Sequence, residues 1–202
     1  MSERLFKCLK KGRVGQYSNY QWPKCGVWVK AKGPLSVCEN GIHLCREKDL
    51  VYWLNKEIYE AECRDDERIN SDDKIVVREA RLINRLKTWN EKTARLFACD
   101  CAEHVLPLFE TKYPDDKQPR RTIEMARKYA YGKATKKELA AAWDAAWAAA
   151  WAAARDAARD AARDAAWDAA WAAARDAAWD VERTWQTAKF MEYLYPKKGS
   201  RR

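Results

Sequence analysis

The sequence predicts an α+β protein in which a small β-containing N-terminal module precedes an α-helical domain. Apolar residues alternate with polar ones in parts of the first 85 residues, and they take helical spacing from Thr88 onward. Between Ala140 and Asp180 a four-residue word repeats without any Gly, Pro, Asn or Ser that could form a turn. We therefore expect a module over residues 1–85, a helical domain over residues 86–195 and a basic tail over residues 196–202.

Short strands separated by turn-forming residues are expected in the N-terminal module. Val27–Lys30 is a short apolar segment between two proline-containing turns. Ile58–Glu62 and Lys74–Leu82 alternate between apolar and polar residues, which is typical of strands. The acidic stretch Arg64–Asp73 between them is predicted to be a hairpin-like loop, and Asp49–Leu54 is predicted to be a short helix.

The helical domain is expected to contain three helices, over about residues 89–110, 119–131 and 136–194. Thr88 and Glu91 have the spacing of a capping box at the start of the first helix. Gly132 suits the position that follows the second helix. Thr135 and Glu138 form another capping-box pattern, which predicts the start of the helix that carries the repeat.

The repeat between Ala140 and Asp180 is unusual because every word begins with two Ala, continues with Trp or Arg and ends with Asp or Ala. Four residues of an α-helix advance by about 400°, so each word lies about 40° beyond the previous one. Three successive arginines therefore share one face, and tryptophans cover most of the opposite arc. The candidate ligand- or partner-binding residues are Arg155, Arg159, Arg163, Trp147, Trp151, Trp167 and Trp171.

Two interpretations of this repeat remain open. In one, the Trp rings pack in a core or against a partner, and Arg–Asp pairs worth a few tenths of a kcal/mol keep the helix soluble. In the other, the arginines bind an anion and neighbouring Trp rings stack on a flat ligand. The many alanines also allow close helix–helix approach, so a homo-oligomer through this Ala-rich helix is a further expectation.

Charge and composition restrict the function classes. The net charge is +9, of which +7 falls before Lys136, so nucleic-acid binding is compatible with the sequence but is not favoured. Seven cysteines and the lack of an N-terminal apolar leader predict a cytoplasmic protein with reduced thiols. No uncharged apolar run is long enough to predict a membrane span.

The sequence offers little catalytic or metal-binding chemistry. Cys38, His43 and Cys45 lack the paired spacing of structural zinc sites, so neither a metal nor a cofactor is predicted. Asp100, Glu103 and His104 lie close together, but no nucleophile or phosphate-loop motif accompanies them. Helix capping or pairing of these carboxylates with Arg120 or Arg121 is the expected role, so no catalytic residue is predicted and the protein is not expected to be an enzyme.

Two segments carry a resemblance to known families. The segment ACDCAEHVLPLFE at residues 98–110, followed by PDD at 114–116 and PRR at 119–121, resembles the helical "putative immunity protein" family of bacteria and phages over about residues 90–180. CENGIHLC at residues 38–45 resembles a module of uncharacterised tailed-phage proteins. The first resemblance implies a helical domain with an Ala-rich C-terminal half and an immunity role, and it supplies no catalytic residues.

The favoured hypothesis is a non-catalytic binding protein in phage–host conflict, of anti-defence or immunity type. It would neutralise a defence-related protein of host or phage, or sequester an anionic nucleotide-like small molecule, through the Trp/Arg helix. One alternative is a nucleic-acid-binding phage accessory protein that uses the basic N-terminal part. Another is a structural homo-oligomer assembled through the repeat helix.

Overall fold

A computed structural model describes residues 3–145 and 168–197 of the chain. The described residues divide into two compact units. The barrel unit contains those up to Glu91 and those from Arg183 onward, and the helical unit contains those between Lys92 and Glu182. Strands occupy the first unit and helices the second, which confirms the predicted α+β class.

Five antiparallel strands build the barrel unit: β1 (Leu5–Leu9), β2 (Trp28–Lys30), β3 (Ile42–Arg46), β4 (Glu57–Asn70) and β5 (Ile75–Arg85). Strand β1 pairs with β3 on one side and with β4 on the other. Strand β5 also pairs with both β3 and β4, so these four strands close on themselves. Strand β2 extends the sheet by pairing with β5.

The alternation of side chains along β1 determines which of them face the interior of the barrel. Leu5 and Leu9 belong to a buried cluster with Leu44 and Ile75. Because successive side chains of a strand point to opposite faces, Lys7 shares the interior face with Leu5 and Leu9. The fold therefore places a lysine among apolar side chains.

The end of the last helix packs within the same unit against the segment that follows β5. Phe190 and Leu194 are buried, and the ring of Phe190 packs edge-on against Trp89 at 4.8 Å. The indole N–H of Trp89 donates to the carbonyl oxygen of Asn55 at 2.8 Å, and the Thr88 hydroxyl donates to the carbonyl oxygen of Leu194 at 2.7 Å. The residues from Arg183 to the last described one thus complete the barrel unit rather than the helical unit.

The acidic stretch Arg64–Asp73 does lie in a hairpin between β4 and β5, but the predicted loop is too long, since β4 continues to Asn70. Several charged side chains of β4 pair with residues of β5. Arg64 lies 3.0 Å from Glu79, and Glu62 lies 2.7 Å from Arg81. Such cross-strand pairs allow a charged sequence to form the outer face of a sheet.

The helical unit contains α1 (Glu91–Lys112), α2 (Gln118–Ala130), helical residues 136–145, here α3, and the first part of α4 (Asp168–Leu194). The capping box at Thr135 is confirmed, since Glu138 accepts from the Thr135 backbone N–H and hydroxyl, both at 2.7 Å. Gly132 has the positive φ of +69° expected after a helix. In the described parts of the chain, no helix has the length and hydropathy needed to cross a membrane.

Candidate functional site

The barrel unit contains a cavity of about 640 Å³, which we call the barrel pocket. Its walls include interior residues of β1 and β3, the loop that carries Tyr17 and Tyr20, and the loop before β3. Ligand sites are typically cavities of about 300–1,000 Å³ with mainly apolar walls and a few polar groups, and they often lie at the open ends of barrels. The barrel pocket has this composition, with Lys7 and Lys74 among its polar residues.

Lys7 contributes a half-buried amine to the pocket. Its Nζ donates to the carbonyl oxygen of His43 at 2.6 Å and lies 5.5 Å from the centre of the Trp22 ring. Among the described residues, Lys7 has no carboxylate as an ion-pair partner. Burial lowers the pKa of Lys7, and the nearby Cys45 and Cys8 only partly oppose this effect. The surroundings of Lys7 thus disfavour its charged form.

Lys74 contributes a second cation with a different environment. Its Nζ lies 3.1 Å from an Asp73 carboxylate oxygen and 4.6 Å from the centre of the Trp53 ring. Burial opposes its charge, but Asp73 and the Cys38 side chain outweigh burial and raise the pKa of Lys74. Lys74 is therefore a charged group that already has a partner.

Aromatic rings form two pairs along the pocket. Tyr17 packs edge-on against Trp53 with ring centres 6.2 Å apart, and Tyr20 packs edge-on against Trp22 at 6.0 Å. The tyrosines are 78% and 46% exposed, whereas Trp22 is buried. The tyrosine rings thus present open surface that a flat ligand can cover.

His43 and the cysteines near it form hydrogen bonds in the wall of the pocket. The backbone N–H of Cys38 donates to His43 Nε2 at 3.0 Å, and burial together with the Lys7 charge lowers the pKa of His43. The Nε2 atom of His43 is thus engaged in a hydrogen bond. A hydrogen bond with Cys45, followed by burial, raises the pKa of the Cys8 thiol. Within residues 3–145 and 168–197, no group of three His, Cys, Asp or Glu side chains is arranged to hold a metal ion.

The residues predicted from the repeat are not tested by this geometry. Six of the seven candidates lie outside the described residues: Trp147, Trp151, Arg155, Arg159, Arg163 and Trp167. Trp171 falls within the backbone of α4, and the position of its side chain is likewise not described. They remain predictions.

The acidic cluster of the helical unit has a partner other than the two that were expected. Arg127 of α2 lies 2.6 Å from Asp100 and 2.5 Å from Glu103 of α1. Burial disfavours the guanidinium charge, but the two carboxylates outweigh it and raise the pKa of Arg127. His104 lies 3.3 Å from Glu182. The cluster thus joins helices through ion pairs, which fits a structural role.

Sequence reasoning missed the barrel pocket because its residues come from distant segments. One local feature does indicate it: Lys7 interrupts the apolar face of the pattern Leu5-x-Lys7-x-Leu9. A charged residue at an interior strand position is rare unless a partner neutralises it.

Comparison with known protein families matches both halves of the chain. Residues 4–94 match a domain of unknown function, DUF7666. Residues 84–198 match the family described as "Imm-5 like putative immunity protein", in agreement with the resemblance noted at residues 90–180. No curated protein and no solved structure gave a significant match. Since the second match spans more than half of the sequence, the chain belongs to the Imm-5 like putative immunity protein family.

Proposed function

We propose that this protein performs its immunity role by binding rather than by catalysis, and that the barrel pocket holds a flat, anionic, nucleotide-class small molecule. The observation that carries the proposal is Lys7, a half-buried amine without a carboxylate partner among the described residues, in a cavity with aromatic walls. Family membership supports the immunity role.

The energetics of a buried amine favour an anionic ligand. Burying an ammonium group away from water costs free energy unless an opposite charge pairs with it. An anion in the barrel pocket would pair with Lys7 and raise its lowered pKa. Binding would therefore stabilise the charged form of a group that the apolar interior otherwise disfavours.

The aromatic residues favour a flat ligand. Tyr17 and Tyr20 are exposed, and each makes a T-shaped contact with a tryptophan. Stacking of a base on an aromatic side chain contributes about 1–3 kcal/mol and tolerates any base. A ring on a tyrosine and an anion on Lys7 together describe a nucleotide-class molecule.

Titration with the dye 8-anilinonaphthalene-1-sulfonate, a flat aromatic anion, tests this proposal. We expect one dye per chain to bind, and we expect Lys7→Met to weaken binding by about tenfold or more, as loss of a desolvated charge pair predicts. Lys56→Met is the matched control, because Lys56 is exposed and does not line the barrel pocket. Equal dye affinities of the wild type and Lys7→Met would contradict the proposal.

We also propose the repeat as the surface for a defence-related partner protein, since the family match spans it. The contacts would come from Trp147, Trp151, Trp167 and Trp171 with Arg155, Arg159 and Arg163. Replacing the three arginines by Glu should remove the proteins that co-purify with the chain from its expressing cells, whereas replacement by Lys should retain most of them. Unchanged co-purification of a folded triple-Glu variant would argue against this surface. Light scattering of the same variants would test the homo-oligomer alternative.

A further inference from the structure

We infer that the barrel pocket binds a dinucleotide, in which two flat rings are joined through phosphate. The inference rests on the function proposed above and specifies its ligand. It follows from a duplication in the pocket, where a lysine, a tryptophan and a tyrosine occur together twice.

The two sets have similar geometry. In the first, Lys7 Nζ lies 5.5 Å from the centre of the Trp22 ring, which meets Tyr20 edge-on at an interplanar angle of 85°. In the second, Lys74 Nζ lies 4.6 Å from the centre of the Trp53 ring, which meets Tyr17 edge-on at 90°. Each set thus offers one cation and one braced tyrosine. All six residues line the same cavity: Lys7, Tyr20, Trp22, Tyr17, Trp53 and Lys74.

The sets are close enough for one small molecule to contact both. Tyr17 and Tyr20 are three residues apart in one loop. Lys7 donates to the His43 carbonyl oxygen, and the charges of Lys7 and Lys74 both act on the His43 imidazole. In the sheet, Ile75 next to Lys74 pairs with Leu44, the neighbour of His43. The two cations therefore flank one residue of β3.

A mononucleotide would use only half of these groups. One base covers one tyrosine and leaves the second exposed, as it is in the empty pocket. A dinucleotide places a base on each tyrosine and its phosphate near the lysines. We assign the main phosphate contact to Lys7, since the charge of Lys74 is already balanced by Asp73 at 3.1 Å.

Isothermal titration calorimetry with AMP and with the linear dinucleotide pApA tests the inference. We expect pApA to bind at least about tenfold more tightly than AMP, because a second base adds stacking. Tyr17→Ala and Tyr20→Ala should each reduce pApA affinity by about tenfold, while Tyr17→Phe and Tyr20→Phe should retain it. Tyr131→Ala is the matched control, since Tyr131 is 42% exposed in the helical unit.

Other outcomes separate this inference from the function beneath it. Equal affinities for AMP and pApA, or alanine variants that bind pApA as the wild type does, would overturn the dinucleotide and leave the anionic pocket in place. The same holds if pApA fails to bind while the dye still depends on Lys7. A ten-residue oligoadenylate that binds far more tightly than pApA would overturn the inference in favour of nucleic-acid binding. Loss of Lys7 dependence for the dye and for pApA together would overturn both proposals.

Discussion

Lys7 in the barrel unit and Arg127 in the helical unit are both partly buried cations, and their surroundings differ. Arg127 lies within 2.6 Å of two carboxylates, Asp100 and Glu103, which raise its pKa. Lys7 contacts a backbone carbonyl and an aromatic ring, and burial lowers its pKa. The helical unit thus neutralises its cation internally, whereas the described part of the barrel unit supplies no carboxylate to Lys7.

This difference separates structural charge from functional charge. A folded protein gains specificity and stability when its buried polar groups have partners, and departures from that rule concentrate at functional sites. The barrel pocket combines such a departure with exposed tyrosines and a cavity. We therefore assign function to the barrel pocket and a stabilising role to the ion pairs of Arg127.

The largest expected effect comes from Gly41, whose loop forms one wall of the barrel pocket. Gly41 has a φ of +123°, and an added Cβ would overlap Val76 Cγ1 and lie 3.0 Å from Leu35 Cδ2. We expect Gly41→Ala to lower the free energy of unfolding by about 3–4 kcal/mol through backbone strain and overpacking. Urea denaturation of the full chain measures this loss.

Gly132 of the helical unit is the matched control. It has a φ of +69°, and an added Cβ would meet no atom within 4 Å. Gly132→Ala should cost only about 1 kcal/mol, from the conformation alone. A similar loss at both positions would contradict the tight packing of the pocket wall.

Removal of the paired cation should have the next largest effect. Arg127→Met leaves Asp100 and Glu103 close together without their shared partner. We expect a loss of about 2 kcal/mol, below the value for a fully buried pair because 29% of the Arg127 side chain is exposed. Thermal unfolding followed by circular dichroism would detect it. Arg120→Met, which breaks a more exposed pair with Glu110, should leave the unfolding temperature nearly unchanged.

Removal of Lys7 should raise the free energy of unfolding, whereas removal of Arg127 lowers it. Lys7→Met should raise the free energy of unfolding at pH 7 by about 1–2 kcal/mol, since it removes a poorly solvated charge. A lowered pKa means that the unfolded chain binds more protons above the folded pKa of Lys7, so wild-type stability rises with pH in that range. The advantage of Lys7→Met should therefore shrink between pH 7 and pH 10.

Urea titrations of the two proteins at both pH values check this prediction. A variant that is less stable than the wild type at pH 7 would place Lys7 with Arg127 among the structural cations.

The two units also differ in how much of their structure could be predicted from the sequence. Local rules predicted β5, the Thr135 cap and the end of α2 at Gly132, because each depends on neighbouring residues. Strands β1 and β3 were missed, since each has only five residues and finds its partners far along the chain. The barrel pocket depends on that closure, as Lys7 and Lys74 become neighbours only when β1 and β5 both pair with β3. The repeat can be recognised from the amino-acid sequence alone. The residues of the barrel pocket come together only in the folded chain.

The smallest expected effect concerns Glu57, which holds the loop after β1 against the barrel. Glu57 accepts from the Arg13 backbone N–H and the Tyr59 hydroxyl, both at 3.0 Å, and lies 3.2 Å from Arg85. Burial opposes its ionisation, but hydrogen bonds from the backbone of Gly12 and Arg13, then Tyr59 and Arg85, outweigh burial and lower the pKa of Glu57. Like Arg127 and unlike Lys7, Glu57 is a buried charge with its partners inside the chain.

The stability of the protein at acidic pH tests whether Glu57 acts as a paired, charged group. A lowered carboxyl pKa contributes stability that is present above the unfolded pKa and is lost as pH falls through the folded pKa. Glu57→Gln should therefore cost about 0.5–1 kcal/mol at pH 7, and the difference from the wild type should shrink as the pH falls below the ordinary carboxyl pKa of about 4.3. Urea denaturation at pH 7, 5 and 3.5 measures the difference. A cost that stays constant over this range would mean that Glu57 acts through its shape rather than its charge, and the contrast with Lys7 would then rest on Arg127 alone.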